Sequence, residues 1–157
     1  MPPRNASYTC TRPFSMYPTL HESVTSLLDP FDLSMAFHKR DAYKTCIKAS
    51  DISIPGKFIC TDPGCTKGGW GSKRIAMTIR LYPESKYNAR IYHQRCEMCE
   101  GAVRPLVDEM IYAERVAYWI KKWNGVSVEE NRRKQKSSRR PHDQERCEGC
   151  LAGHCRG

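Results

Sequence analysis

Seven of the nine cysteines, together with one histidine, form closely spaced groups that are suited to zinc. The candidate ligands are Cys60, Cys65, Cys96, Cys99, His142, Cys147, Cys150 and Cys155. Two thiolates separated by two to four residues on a tight turn can both reach one zinc ion at about 2.3 Å. Eight ligands are enough for two tetrahedral sites. A site whose four positions are all filled by protein is structural, because a catalytic zinc keeps one position open for water.

The simplest pairing of these ligands gives two sites. One site would contain Cys60, Cys65, Cys96 and Cys99, and the other would contain the four ligands from His142 to Cys155. Interleaved pairings are equally compatible with the spacing. The sequence therefore predicts two zinc ions, with a single ion as the alternative.

The rest of the sequence is consistent with reduced thiols. No run approaches the roughly 18 apolar residues that span a bilayer, and the first residues, MPPRNASYTCTRPF, contain no apolar stretch typical of a secretory signal. A cytoplasmic or nuclear location and the absence of an integral membrane segment are therefore expected, and there cysteines bind metal more often than they form disulfides. Cys10 and Cys46 fall outside the ligand set and are expected to be ordinary core or free thiols.

An antiparallel hairpin is predicted between the first two cysteine pairs. In SKRIAMTIRLY, Ile75, Met77, Ile79 and Leu81 alternate with polar residues, which is typical of a half-buried strand. ARIYHQRC supplies a second alternating run, and PESKYN is the loop between them. KFIC is a further short strand that leads into Cys60.

Two helices are predicted. In residues 107–123, Tyr112, Val116, Trp119, Ile120 and Trp123 recur at intervals of three and four, which indicates one long amphipathic helix. In PTLHESVTSLLDPFD, Thr19 and Glu22 form a candidate capping box for a short helix. The stretch from 31 to 56 is expected to be irregular or a second short helix.

These elements predict an α+β protein with a small antiparallel sheet or hairpin, one long amphipathic helix and zinc-stabilised loops. Residues 1–54 are interpreted as a partly helical N-terminal segment that packs on or flanks the core. Residues 55–157 would form the zinc-binding domain, with a basic linker at 128–141.

The charge balance favours a nucleic-acid partner. The chain has 26 Lys and Arg residues against 17 Asp and Glu residues, a net charge of +9. The candidate contacts to RNA are Arg74, Arg80, Arg90, Arg132, Arg133, Lys134, Lys136, Arg139 and Arg140. Tyr82, Tyr87 and Tyr92 could stack on bases, although the basic run could equally be a solvated linker and the tyrosines part of the core.

The alternative hypothesis is a protein-interaction adaptor or chaperone-like trafficking factor that displays Tyr112, Trp119 and Trp123 to a protein partner. An enzyme is not predicted. The sequence contains no His-x-Glu motif of a zinc deaminase, no Gly-rich phosphate loop and no Gly-x-Ser-x-Gly nucleophile turn. The oligomeric state is not indicated.

The ordered set of motifs resembles the 3CxxC-type zinc-binding domain, found in receptor-transporting proteins, in zygote arrest proteins and in many small fungal proteins. The resemblance covers about residues 55–155 and rests on CTDPGC, GWGSKRIAMTIRLYP, YNARIYHQRCEMC, YAERVAYWIKKW and PHDQERCEGCLAGHC. It implies zinc binding and, through the zygote arrest type, RNA binding. The first pair departs from the family spacing, with four intervening residues instead of two. The sequence ends without the hydrophobic tail of receptor-transporting proteins, which argues against a receptor-trafficking role.

Overall fold

The computed structural model describes residues 13–40, 43–60, 62–127 and 146–153. Helices and strands are both present, in the order β1 (Phe14–Met16), α1 (His21–Leu28), β2 (Ala36–Phe37), β3 (Lys48–Ile59), β4 (Gly69–Tyr82), β5 (Lys86–Tyr92), β6 (Gln94–Arg95), β7 (Ala102–Val103), β8 (Leu106–Val107), α2 (Glu109–Trp123) and α3 (Glu148–Leu151). The predicted α+β class with an antiparallel sheet is confirmed.

The main sheet has the strand order β1–β5–β4–β3–β8. The short strand β2 pairs with the beginning of β5, at Lys86 and Tyr87, whereas β1 pairs with the end of β5. Every pairing in it is antiparallel except that of β2 with β5. The predicted hairpin is β4–β5, paired from Met77↔Ile91 to Tyr82↔Lys86. Its turn is shorter than predicted, because Glu84 and Ser85 adopt left-handed backbone angles of 65° and 57° that reverse the chain within three residues.

The longest pairing in the sheet was not predicted from the sequence. β3 begins at Lys48 and pairs with β4 from Lys48↔Leu81 to Ile59↔Gly69, so the prediction of an irregular or helical segment up to residue 56 is wrong for its second half. Ile52 and Ile54 do alternate with polar residues, but Pro55 and Gly56 interrupt the pattern. The strand accommodates both residues because a β-bulge lies there, between Ile54 and Gly56.

β4 is covered on both faces over its central part. Ile75, Met77 and Ile79 are fully buried on the helical side, and Thr78 and Arg80 are only 2% exposed on the other. The prediction of a half-buried strand is therefore wrong, because a second layer covers the polar face: His38, for example, stacks on Tyr82 with ring centroids 4.1 Å apart. Alternation identifies two faces but does not show that solvent reaches one of them.

The two longer helices, α1 and α2, pack against the face of the sheet that contains Ile75, Met77 and Ile79. α2 buries Tyr112, Ala113, Val116, Ala117 and Ile120, and burying each larger apolar side chain contributes roughly 1.5–3 kcal/mol. The predicted amphipathic character is correct, but at 15 residues α2 is of ordinary length and not the long helix expected. Asp108 caps it by accepting a 3.0 Å hydrogen bond from the Ile111 N–H.

The N-terminal segment contributes to the same core. α1 buries Val24 and Leu28 and packs along α2, while β1 adds a strand to β5. The capping box predicted at Thr19 and Glu22 does not form: α1 begins at His21, after a 3₁₀ helix over Pro18–Leu20, and no side chain caps it. None of the described helices is long and apolar enough to cross a membrane.

Candidate metal centre

The first two cysteines lie where β3 passes into β4. Cys60 directly follows β3, and its N–H donates a 2.8 Å hydrogen bond to the Gly68 carbonyl. Cys65 is held by a tight turn in which its N–H donates to the Asp62 carbonyl at 3.0 Å. The Asp62 carboxylate also accepts a 3.0 Å bond from the Gly64 N–H. This turn explains how a pair separated by four residues can still direct both thiols to one point.

The second two cysteines lie between the short strands β6 and β7. The Cys96 N–H donates to the Gly101 carbonyl, and the Cys96 carbonyl accepts from the Glu100 N–H, both at 2.8 Å. Glu100 adopts a left-handed φ of 59°, which closes the turn and places Cys99 beside Cys96.

The two turns bring all four thiols together, with the Sγ atoms of Cys60, Cys65, Cys96 and Cys99 within 4.8 Å of one another. Cys60 Sγ lies 3.5 Å from Cys99 Sγ, and Cys65 Sγ lies 3.5 Å from Cys96 Sγ. A tetrahedral zinc ion with Zn–S bonds of about 2.3 Å requires sulfur atoms about 3.8 Å apart. The residues present therefore fit zinc, and the predicted grouping of the first four cysteines is confirmed over the interleaved ones.

The four thiols differ in electrostatic environment. Burial raises the pKa of Cys60 to about 12. Burial acts in the same direction on Cys96, but hydrogen bonds from the backbone N–H groups of Cys99 and Met98, assisted by the neighbouring thiols, outweigh it and lower the pKa to about 7. Thiolates this close together repel one another, because like charges at short distance disfavour the charged form. A divalent cation removes that repulsion and displaces the remaining protons.

A polar network supports the two turns. Trp70 stacks on Phe58 with centroids 4.9 Å apart, and its Nε1–H donates to Gln94 Oε1 at 3.2 Å. Gln94 Nε2 in turn donates to Ser72 Oγ at 3.1 Å. Because Gln94 lies two residues before Cys96 and Trp70 lies in the strand that follows Cys65, this network joins both halves of the cluster.

The third cysteine pair lies elsewhere on the sheet. Cys147 is buried, and its Sγ accepts a 3.4 Å hydrogen bond from the Cys150 N–H at the start of α3. Burial raises the pKa of the Cys147 thiol. The described ranges contain no third ligand that completes a set with this pair. His142 and Cys155, the other predicted ligands of a second site, lie outside the described residues, so the second site stays a prediction.

The segment with the third pair is fixed to the sheet through its backbone. Gln94 and Cys147 form an antiparallel bridge, and the Arg95 N–H donates to the Arg146 carbonyl at 2.9 Å. Gly149 packs so closely on β4 that a Cβ atom at this position would overlap Ala76. The docking therefore requires glycine inside this cysteine pair.

The predicted RNA-contact residues have diverse environments. Arg74 is exposed, and Arg90 is half-buried with its guanidinium 4.6 Å from the Phe14 ring centroid. Arg80 is only 2% exposed, so its selection as an RNA contact is wrong, because the layer over β4 leaves almost none of its surface accessible. The remaining six, Arg132, Arg133, Lys134, Lys136, Arg139 and Arg140, lie outside the described residues. Tyr82, Tyr87 and Tyr92 are buried and are core residues, not stacking platforms.

The β-bulge creates a basic cluster of which only one member, Arg74, was predicted from the sequence. Ile54 pairs with Ile75 and Gly56 with Ser72, so Lys73 and Arg74 both lie opposite the single residue Pro55. Lys57 pairs with Gly71, two residues before Lys73, and therefore lies on the same face as Lys73. Lys57, Lys73 and Arg74 are all exposed. The sequence signal for this cluster was Pro55 in one strand and the neighbouring pair Lys73 and Arg74 in another. It indicates a cluster only once the register of the two strands is known.

Comparison with known proteins identifies the metal. A family model described as a zinc-binding domain, of the 3CxxC zinc-ribbon type, matches residues 53–153. No curated protein and no solved structure matches the chain. The matched range contains all three cysteine pairs and His142, and it ends before Cys155.

Proposed function

Because this chain belongs to the 3CxxC-type zinc-binding family, we propose that it is a non-enzymatic, structural-zinc module that binds RNA through a basic surface. Cys60, Cys65, Cys96 and Cys99 would hold the zinc ion. When bound, the ion supplies a four-way cross-link between two turns that are about 30 residues apart in sequence. A second ion is proposed at His142, Cys147, Cys150 and Cys155.

The four-thiol geometry supports a structural role. Cys96 is fully buried, and the other three thiols of the cluster are half-buried. With four sulfur ligands no coordination position is left for water or substrate, so the ion can neither polarise a carbonyl nor generate hydroxide. This is the basis for proposing that the protein is not an enzyme.

The basic cluster at the bulge is the observation that supports RNA as the partner. Lys57, Lys73 and Arg74 lie close to the zinc end of the β3–β4 pair, and residues 52–59 and 69–80 contain no acidic side chain. A concentration of exposed positive charge attracts a phosphate backbone. The chain also carries six basic residues between Arg132 and Arg140, which add to the positive charge that attracts phosphate.

A salt titration with paired variants tests the RNA proposal. Neutralising Lys73 and Arg74 together (K73Q/R74Q) should weaken binding to an RNA oligonucleotide and reduce the slope of log affinity against log salt by about 1 to 2. K44Q/K48Q is the matched control, because these equally exposed lysines lie at the opposite end of β3. Equal losses in both double variants would show a general charge effect, and no binding by the wild-type protein would refute the proposal.

The alternative function, an adaptor that displays the aromatic side of α2 to a protein, also has a specific observation in its favour. Trp119 and Trp123 are only half-buried and not sealed into the core. Tyr112 is fully buried and cannot take part. If the tagged protein recovers one defined protein from cell extract after nuclease treatment, and W123A abolishes that recovery, the adaptor function is favoured over RNA binding.

A further inference from the structure

One side of α2 carries aromatic and cationic residues that remain partly accessible, although Trp119 and Trp123 also pack against the edge of the core. Arg115, Tyr118, Trp119, Lys122 and Trp123 recur at intervals of three and four, so they form one stripe along the helix. Lys122 is exposed and the other four are half-buried. The residues that α2 contributes to the core lie on the neighbouring face, and we name this set the aromatic stripe.

The rings of the aromatic stripe contact one another and a cation. The Tyr118 and Trp119 centroids are 5.5 Å apart, and those of Trp119 and Trp123 are 5.7 Å apart. Lys122 Nζ lies 4.8 Å from the Trp119 centroid and 6.0 Å from that of Tyr118. Three partly accessible aromatic rings are therefore combined with two positive charges, those of Arg115 and Lys122.

We propose that the aromatic stripe binds single-stranded RNA, with unpaired bases against its rings and phosphates against Arg115 and Lys122. The proposal rests on the RNA-binding function inferred above and deepens it by naming the strandedness of the ligand. Single-stranded nucleic acids are bound by surfaces that combine stacking rings with positive charge, because every base has a π-face and every nucleotide has a phosphate. A duplex keeps its bases paired and stacked, so they are not available to such rings.

The chemistry of the stripe favours this ligand over a membrane or an apolar protein surface. An interfacial membrane helix presents its most apolar residues to the lipid, whereas Val116 and Ile120 of α2 are fully buried against the sheet. The core of a protein interface is depleted of charge, whereas here Lys122 lies over the rings themselves. The positive charge complements phosphate and would be costly to bury against an apolar partner.

The test compares single-stranded and duplex RNA of equal length, by anisotropy of the labelled RNA and by quenching of tryptophan fluorescence. Y118A is the main variant, because Tyr118 is not among the residues packed on the core. It should weaken single-strand binding by about 5- to 150-fold, which corresponds to one stacked base. Y118F retains the ring and should bind as the wild type does. Zinc content and circular dichroism confirm that each variant is folded.

F31A is the matched control. Phe31 is 43% exposed, and its ring centroid lies 4.2 Å from Lys121 Nζ. Phe31 and Lys121 therefore form an aromatic–lysine pair like that of Trp119 and Lys122. Lys121 is about half a turn away from Trp119 and Trp123 around the axis of α2, although it is only about a sixth of a turn from Tyr118. F31A should therefore leave the affinity for single-stranded RNA unchanged.

The outcomes separate this inference from the function on which it rests. Quenching by single-stranded RNA, weaker duplex binding and a loss confined to Y118A would support the inference. Equal binding of both RNA forms with no effect of Y118A would overturn it and leave RNA binding by the basic cluster intact. No binding of either RNA would overturn both proposals. Binding to phosphatidylserine vesicles in place of RNA would assign the stripe to a membrane surface and also overturn the inference.

Discussion

The thiols of the metal cluster are chemically unequal before zinc binds. The pKa of Cys96 is lowered to about 7 because burial is outweighed by backbone N–H donors, whereas burial raises that of Cys60 to about 12. At neutral pH Cys96 is thus better able than Cys60 to make first contact with the metal. The Cys60 thiol loses its proton as it joins the coordination sphere.

Removing one ligand should abolish the site. In C99S a hydroxyl replaces a thiolate, and oxygen from serine is a poor ligand for zinc in a sulfur-rich site. We expect the zinc content measured by elemental analysis to fall by about one ion per chain. C46S is the control, since Cys46 is a half-buried cysteine outside the cluster, and it should retain the wild-type content.

Zinc affinity should increase with pH. Protons and zinc compete for the same sulfur atoms, and the raised pKa of Cys60 means that its proton is still bound at neutral pH. Acidification therefore favours release, and alkaline conditions favour binding. Competition with a chromophoric chelator between pH 6 and pH 8 measures the change, with the proton affinity of the chelator taken into account. An affinity independent of pH over this range would contradict thiol coordination.

Single residues also show what can be predicted from sequence. The first four ligands were identified by residue type and spacing alone, because zinc needs specific atoms at short separations. The burial of Arg80 could not be predicted in this way, because the layer that covers it consists of residues distant in sequence. Lys57 and Lys73 were missed for a related reason, since only the register across the bulge brings them together.

Among the secondary-structure elements, α3 depends most on a close approach to the sheet. Gly149 lies between Cys147 and Cys150, and its α-carbon faces Ala76 of β4 with no space for a side chain. This contact sets the position of the third cysteine pair relative to the sheet. The cysteine pair and the strand were both predicted from the sequence, whereas the contact between them was not, because the two segments lie about 70 residues apart.

An alanine at position 149 should displace α3. The added methyl group in G149A overlaps Ala76, and overpacking of this kind costs roughly 1–3 kcal/mol. We expect a lower midpoint of urea unfolding, measured by circular dichroism with zinc present. G71A is the control, because nothing lies within 4 Å of a Cβ atom there, and its stability should be unchanged or slightly higher. Equal midpoints for G149A and the wild type would exclude the tight docking.

The first turn of α2 offers a second test of local structure. Asp108 accepts the Ile111 N–H at 3.0 Å, and D108A should destabilise the protein by about 1 kcal/mol because that donor loses its partner. D108N retains the acceptor and should recover most of the loss in urea unfolding. If D108A and D108N were equally destabilised, the charge of Asp108 near the helix dipole would matter more than the cap.

At the scale of the whole molecule, one hydrophobic core of the described residues joins the N-terminal segment to the zinc-binding region. β3 begins at Lys48 and runs through residue 55, where the sequence suggested a boundary, and α1 packs on α2. Composition had indicated this boundary because residues 1–50 are polar and weakly periodic. Such segments give little local signal when their strands are short, and β1 and β2 contain only three and two residues. The cysteine cluster lies at one end of this core, which includes Cys96 and contacts Cys60, Cys65 and Cys99.

Native mass spectrometry combined with circular dichroism, before and after chelation, tests this account most directly. We expect the folded protein to exceed the mass of the bare polypeptide by at least one zinc ion. Chelation should remove that mass and, at the same chelator concentration, the ordered signal of the zinc-binding region, because metal-binding energy contributes to folding. A fully folded chain with the mass of the polypeptide alone would contradict the central claim that zinc at Cys60, Cys65, Cys96 and Cys99 stabilises the fold.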